Sequence, residues 1–381
     1  MQDSGPIGLV SLLIFLVSWP GEETRPHARL RSWKRFDFAG TVLGIAASAL
    51  VVFAFQNAGE SGPGAWKSAV FIAPITVGLA CWMGLFAWAF AVDKWFAHSI
   101  VPIFPVQLFQ NRLYTRSTIT TLLMGYPHLL LIFCFPIRMQ VVSGRSPLIA
   151  GLTMLPMLGT VALGSMVSGK VNANNNNNNN NKSHLAETMR CGTWLMALGC
   201  VLLTTVRGSE DDAKALGYLA FAGFGFGLCT AAATNVIGVE VPTQQRASAH
   251  GIVAQARILG GSLGLSVSTV CLHTEVINRL PDILTPGELA SFDGDVKRIM
   301  GDSLEAIQLA YVSAFRRTVL TAGIIACCAV MSTFYGSRLH REGLHREDDE
   351  QGRHEETALE ETQPRATEPL IPFQDVVHPR A

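Results

Sequence analysis

The sequence predicts an all-α integral membrane protein of about nine transmembrane helices. Three observations predict it. The chain has 381 residues, 49% hydrophobic and only 15% charged, with a mean hydropathy of +0.30, whereas a soluble domain carries about 25% charged residues. The apolar residues gather into long runs parted by charged loops. Lys and Arg are rich in every second loop, the bias that orients membrane helices.

A helix crossing a bilayer needs about 17–25 apolar residues. Such runs fall at about 5–20, 37–56, 68–92, 116–137, 147–169, 186–206, 215–235, 247–272 and 316–337. The first run lacks the basic flank and cleavage site of a signal peptide, so it reads as a helix whose start is clipped. The loops with Arg25, Arg29, Arg31, Lys34 and Arg35, with Lys94 and Arg112, and with Lys170 and Lys182 are expected in the cytosol, as is the tail from Arg338. The intervening loops are poorer in basic residues: 57–67 has only Lys67, and 207–214 balances Arg207 and Lys214 with Glu210, Asp211 and Asp212. The long loop 273–315 departs from the bias, but long loops carry little weight. The amino terminus is then expected outside, which implies an odd number of helices upstream.

Other classes of function are disfavoured. Net charge is zero, so no nucleic-acid partner is implied. The eight cysteines have no metal-type spacing and read as small buried apolar residues. Phosphate-loop, GxSxG and HExxH signatures are absent, so neither an enzyme nor a cofactor is expected. Without a nucleotide-binding domain, any pumping must draw on an ion gradient or on another protein. The run Asn174 to Asn181 is low-complexity and has no assigned role. The sequon at Asn181 lies on the cytosolic side and reads as unused, and the polar tail 338–381 reads as disordered.

Within the spans, Gly40 and Gly44, Gly223 and Gly227, and Gly260 and Gly264 are each four apart, a spacing that lets helices approach closely. Gly261 joins the last pair. These glycines read as packing sites, which leaves open that helices also slide along them. Pro74, Pro127, Pro136 and Pro156 fall inside spans and predict kinks. Arg257 is the clearest charge at membrane depth. His250, Arg257, Gly261, Gly264 and Ser268 share a helix face, with Ala254 between. Arg257 reads either as lining a substrate path or as anchoring a neighbouring helix through its carbonyls. Ser117, Thr121, Met124 and His128 share a second face, where His128 is either structural or part of a path. Asp37, Asp93 and Glu187 all sit at span edges, so no carboxylate lies mid-span.

Several segments resemble one family. Pro6-Ile7-Gly8 runs into an apolar stretch; Phe36-Asp37-Phe38-Ala39-Gly40 is followed by Phe53-Ala54-Phe55-Gln56 and Trp66. Val101-Pro102-Ile103-Phe104-Pro105 precedes Leu108-Phe109 and Asn111-Arg112. Gln140-Val141-Val142-Ser143-Gly144 leads to Ser146-Pro147, Ala150-Gly151 and Leu155-Pro156, and Arg257 through Gly264 closes the series. In this order and spacing the segments resemble the fungal fourteen-spanner drug:proton antiporters of the major facilitator superfamily, over about residues 5–337. The resemblance implies helices six to fourteen, with five missing upstream. It implies that 1–20 is the last helix of an amino-terminal bundle, 37–92 an inserted pair, 93–115 a cytosolic linker, 116–337 a carboxyl-terminal six-helix bundle and 338–381 a cytosolic tail.

The function implied is export of amphipathic drugs, toxins or fungal metabolites in exchange for protons, by alternating access in the plasma or vacuolar membrane. A siderophore or vacuolar amino-acid carrier of the same fold, or a truncated membrane protein without transport activity, are the other readings. The expected partners are a small-molecule substrate, protons and the lipid bilayer. With no central carboxylate and His128 the one remaining proton site, the chain by itself is not expected to couple transport to protons.

Overall fold

A computed structural model describes residues 4–18, 37–60, 67–95, 104–174, 181–243, 245–279 and 308–334. The loop 21–36, the central part of the Asn run, most of the loop 273–315 and the tail lie outside the described residues. The described chain is helical: α1 (Ser4–Ser18), α2 (Phe38–Glu60), α3 (Ala69–Trp95), α4 (Arg112–Val141), α5 (Pro147–Leu152), α6 (Leu155–Asn174), α7 (Asn181–Leu203), α8 (Asp212–Glu240), α9 (Arg246–Arg279) and α10 (Gln308–Phe334), with a 3-10 turn at Val106–Gln110. Helices or helix pairs cover all nine apolar runs. The spans Phe38–Ala58, Ala69–Trp95, Arg112–Val141, Pro147–Asn172, Ser209–Glu240 and Gln308–Phe334 are long and apolar enough to cross a membrane. The described part of α1 is shorter, and α7 and α9 carry more polar residues.

The residues divide into two compact units. In the first, α2 starts on Asp37, whose carboxylate accepts the Gly40 N–H at 2.7 Å and the Trp88 indole N–H of α3 at 2.9 Å. A Cβ at Gly40 would meet that carboxylate. Gly40 therefore makes room for the helix cap. Further along, Gly78 of α3 lies against Leu50 and Val51 of α2. The apolar side chains of α1 from Leu9 to Val17 and many of α3 are exposed, as lipid solvation requires.

The second unit takes in the end of α2 from Phe55 and the chain from Leu108 through α10. Asn111 caps α4 by accepting the N–H groups of Leu113 and Tyr114 at 2.9 and 3.2 Å. The far end of α4 closes on Gly144, which at φ 62° occupies the left-handed region that favours glycine. Ser146 and Pro147 then start α5. The run expected as one span over 147–169 is two helices. Pro156 has no N–H to give to the Leu152 carbonyl, so α5 ends at Leu152 and α6 begins at Leu155. Pro156 thus opens a helix rather than kinking one. Pro74, Pro127 and Pro136 do lie inside α3 and α4.

Packed helices run both ways: α4 is parallel to α9, as α6 is to α8, whereas α4 and α8 are antiparallel. Asn111, before α4, donates to Glu240 at the end of α8, while Arg138 near the end of α4 reaches Asp212 at the start of α8, so the two run antiparallel. Tyr126 of α4 donates to Thr321 of α10 at 3.2 Å, and Phe135 meets Phe315. α4 and α8 form the centre: each buries 56% of its most apolar stretch, against 11% for α3.

Candidate functional site

Close packing sets the site. Near the middle of α4, a Cβ on Gly125 would run into the Arg257 carbonyl of α9. In return, Gly260 lies against the Leu122 carbonyl, Gly264 against the Tyr126 carbonyl, and Gly261 against the Leu129 side chain. Only glycine allows backbones this near. On α8, Gly223 and Gly227 lie against the Met157 and Val161 carbonyls of α6, while Gly225 meets Gly192 and Met196 of α7. Gly164 of α6 faces the Phe224 carbonyl in the same seam. The three packed seams leave the polar groups of α4 and α9 little freedom of position.

Two polar residues predicted from separate faces flank this packing, His128 on α4 and Arg257 on α9. The His128 ring of α4 lies flat on Phe226 of α8, with centroids 3.6 Å apart and planes within 6°. Its buried Nδ1 has no hydrogen-bond partner among the described residues. The Arg257 charge of α9 lies within electrostatic range of this ring. Arg257 itself is partly exposed and makes no hydrogen bond or ion pair among the described residues. The described carboxylates of this unit lie elsewhere, near helix ends. Glu187 pairs with Arg190, Asp211 with Lys214, Asp212 with Arg138, and Glu240 accepts from Asn111.

The other predicted residues do not join this pair. Ser117 and Thr121 are buried, and each donates back to its own helix, to Tyr114 at 2.8 Å and to Ser117 at 2.7 Å. His250 is exposed near the start of α9. Ser268 is buried, donates to the Leu265 carbonyl at 2.6 Å, and lines a cavity of about 100 Å³ between α4, α9 and α10 with Cys134, Arg138 and Thr318. No group of three or more His, Cys, Asp or Glu able to hold a metal occurs among the described residues.

One polar group went unread in the sequence. Arg138 is the largest fully buried side chain among the described residues. It bonds Asp212 at 2.9 Å, donates to the Gly208 carbonyl at 2.7 Å, and holds its guanidinium 5.5 Å from the Phe315 ring centroid. It falls one residue past the apolar run that ended at 137, and its partner sits in a loop of mixed charge. An arginine directly after Pro136-Ile137, still within reach of the membrane, was the available signal.

No protein-family profile matches the chain. Among curated proteins it is 27% identical over 296 residues to the MFS-type transporter FPY5 of Fusarium mangiferae, covering 75% of this chain and 48% of that protein. It is 25% identical to the aspyridones efflux protein of Neocamarosporium betae (86% and 57% covered) and 27% identical to the dehydrocurvularin exporter of Alternaria cinerariae (85% and 54%). These relatives are transporters. This chain spans about half of their length. A solved bacterial homolog of the human lysosomal transporter Spinster aligns over 78% of this chain and 67% of its own, at 16% identity and TM-score 0.47, a likeness too slight to carry an argument.

The apolar helices and the transporter relatives together make this a multi-pass membrane protein. Both segments of the candidate site, in α4 and α9, belong to helices packed through glycine rather than to loops, so its groups are held by rigid elements.

Proposed function

We propose that the chain belongs to the major facilitator superfamily, in its fourteen-spanner drug:proton antiporter branch. The activity proposed for the transporter it contributes to is export of amphipathic small molecules in exchange for protons, by alternating access, in the plasma or vacuolar membrane; residues 1–381 alone are not expected to couple it to protons. The relatives named as efflux proteins and exporters support this reading. So does the order of family-like segments in the sequence. In this reading α2 and α3 are the inserted pair, and the helices from α4 to α10 form one transport bundle.

The observation that carries the reading is Arg257. A lone arginine facing hydrocarbon at mid-helix costs about 2.5–3.5 kcal/mol on insertion scales, so such residues face a water-filled interior. Arg257 has no carboxylate or carbonyl partner among the described residues to make it a helix anchor. It therefore lines the path, with His128 within its electrostatic range.

The test is dye retention in the organism that carries the gene. Deleting the gene should raise retention of an amphipathic dye such as fluorescein, loaded as its diacetate, and an uncoupler should bring parental cells to the same level. Equal retention in parent and deletion strain would contradict export. A deletion effect that the uncoupler leaves unchanged would contradict proton coupling.

A further inference from the structure

We propose that the α4–α8–α9 site takes its substrate as an anion, a carboxylate or an enolate borne on an apolar ring system. The proposal rests on the transport reading for its biological meaning, but its chemistry stands on the site alone.

Three features converge. Arg257 is a permanent cation with a planar fork of donors suited to two-point recognition of an oxyanion. Its guanidinium has no counter-charge among the described residues, and the described carboxylates of the unit are engaged or lie near helix ends, away from the middle of α4. His128 adds a buried ring nitrogen without a partner, in electrostatic reach of Arg257. A buried polar nitrogen left unpaired is costly; in its Nδ1–H tautomer the ring would recover that cost by donating to a ligand oxygen. Phe226 fixes the plane of the imidazole and, 5% exposed, backs it with apolar surface.

The arrangement also rejects. A cationic substrate would meet Arg257 with no acidic group at hand to offset it. A neutral isostere would leave both basic groups unmatched. Discrimination by charge at a partly buried site exceeds what an exposed pair provides, because solvent screens it less.

The experiment uses residues 1–381 in lipid nanodiscs and two probes of equal shape, naphthalene-2-carboxylate and naphthalene-2-carboxamide, titrated by calorimetry. The carboxylate is expected to bind at least about tenfold tighter, about 1.4 kcal/mol. Arg257→Gln should bring the two affinities within about twofold, and Arg257→Lys should retain part of the preference. His128→Phe keeps the stack on Phe226 and removes the ring nitrogens. It should weaken the carboxylate about threefold or more and leave the amide unchanged, which keeps the test open if Arg257→Gln does not fold. Equal binding of the two probes, binding of neither, a preference that survives in Arg257→Gln, or carboxylate affinity unchanged in His128→Phe would each overturn the proposal. A deletion strain with unchanged dye retention would instead overturn the transport reading, whatever the nanodiscs show.

Discussion

Arg138 shows how one side chain can tie two helices at the edge of a membrane. It is 1% exposed, and its partner Asp212 is 17% exposed. An ion pair this buried loses hydration on both sides. It adds little by itself, but removing one partner strands the other charge, at a cost of about 3–5 kcal/mol. Asp212→Asn should therefore lower the melting temperature of the detergent-solubilised protein by several degrees. Arg138→Met combined with Asp212→Leu should recover most of that loss, because no charge is then left unpaired. A double variant as unstable as Asp212→Asn would show that the contacts to Gly208 and Phe315, rather than the ion pair, dominate. Arg257 lies at the other extreme, a cation without a protein partner among the described residues. From sequence both are arginines in or beside apolar runs, and only Arg257, well inside its run, drew notice. Which arginine is neutralised depends on a loop residue far along the chain, and no local pattern carries that information.

At the scale of elements, the seams between helices are glycine seams. Gly223, Gly227, Gly260 and Gly264 stand out in sequence by their spacing of four. Gly125, Gly164 and Gly192 serve the same seams from the opposite side and stand alone, so spacing could not mark them. Gly40 has the spacing and clears the Asp37 cap. The four-residue rule thus finds one wall of a seam better than its partner wall. Gly260→Val would push a side chain into the Leu122 carbonyl, and Gly227→Val into that of Val161. Both should destabilise by about 1–3 kcal/mol as overpacking. Gly251 has nothing within 4 Å of a built Cβ, so Gly251→Ala should be neutral or stabilise by up to about 1 kcal/mol through helix propensity. Melting curves of the three variants check this directly. A Gly260→Val protein as stable as the parent would mean that α4 and α9 are not in close backbone contact. The α5–α6 break was foreshadowed by Leu155-Pro156, yet an unbroken apolar run outweighs one proline when length alone is read.

Across the whole molecule, the helix class and the positions of the apolar runs were legible because lipid imposes a single rule, long apolar stretches with internally satisfied backbones. Helix partners were not legible, since in lipid an apolar surface packs against acyl chains as readily as against another helix. The stack of His128 on Phe226, with Arg257 within electrostatic range, draws on three helices far apart in sequence, and only His128 and Arg257 stand out in the sequence. The proposed orientation puts the loop 21–36 inside and the loop 57–67 outside. A cysteine at Ser61 should react with an impermeant reagent on intact cells and one at Ser32 should not; the reverse pattern would invert the topology.

The central claim is that Arg257 faces a water-filled path. Its neighbour Ile258 is 60% exposed, apolar, and turned toward lipid in the same account. The direct measurement is thiol accessibility at these two positions, in a background where the exposed Cys191, Cys327 and Cys328 are replaced by alanine. A charged, water-soluble methanethiosulfonate reagent should modify Arg257→Cys at least about tenfold faster than Ile258→Cys, since thiol reaction requires the thiolate, which forms in water and not in hydrocarbon. Equal rates, or faster reaction at Ile258→Cys, would place Arg257 away from any aqueous path and contradict the account.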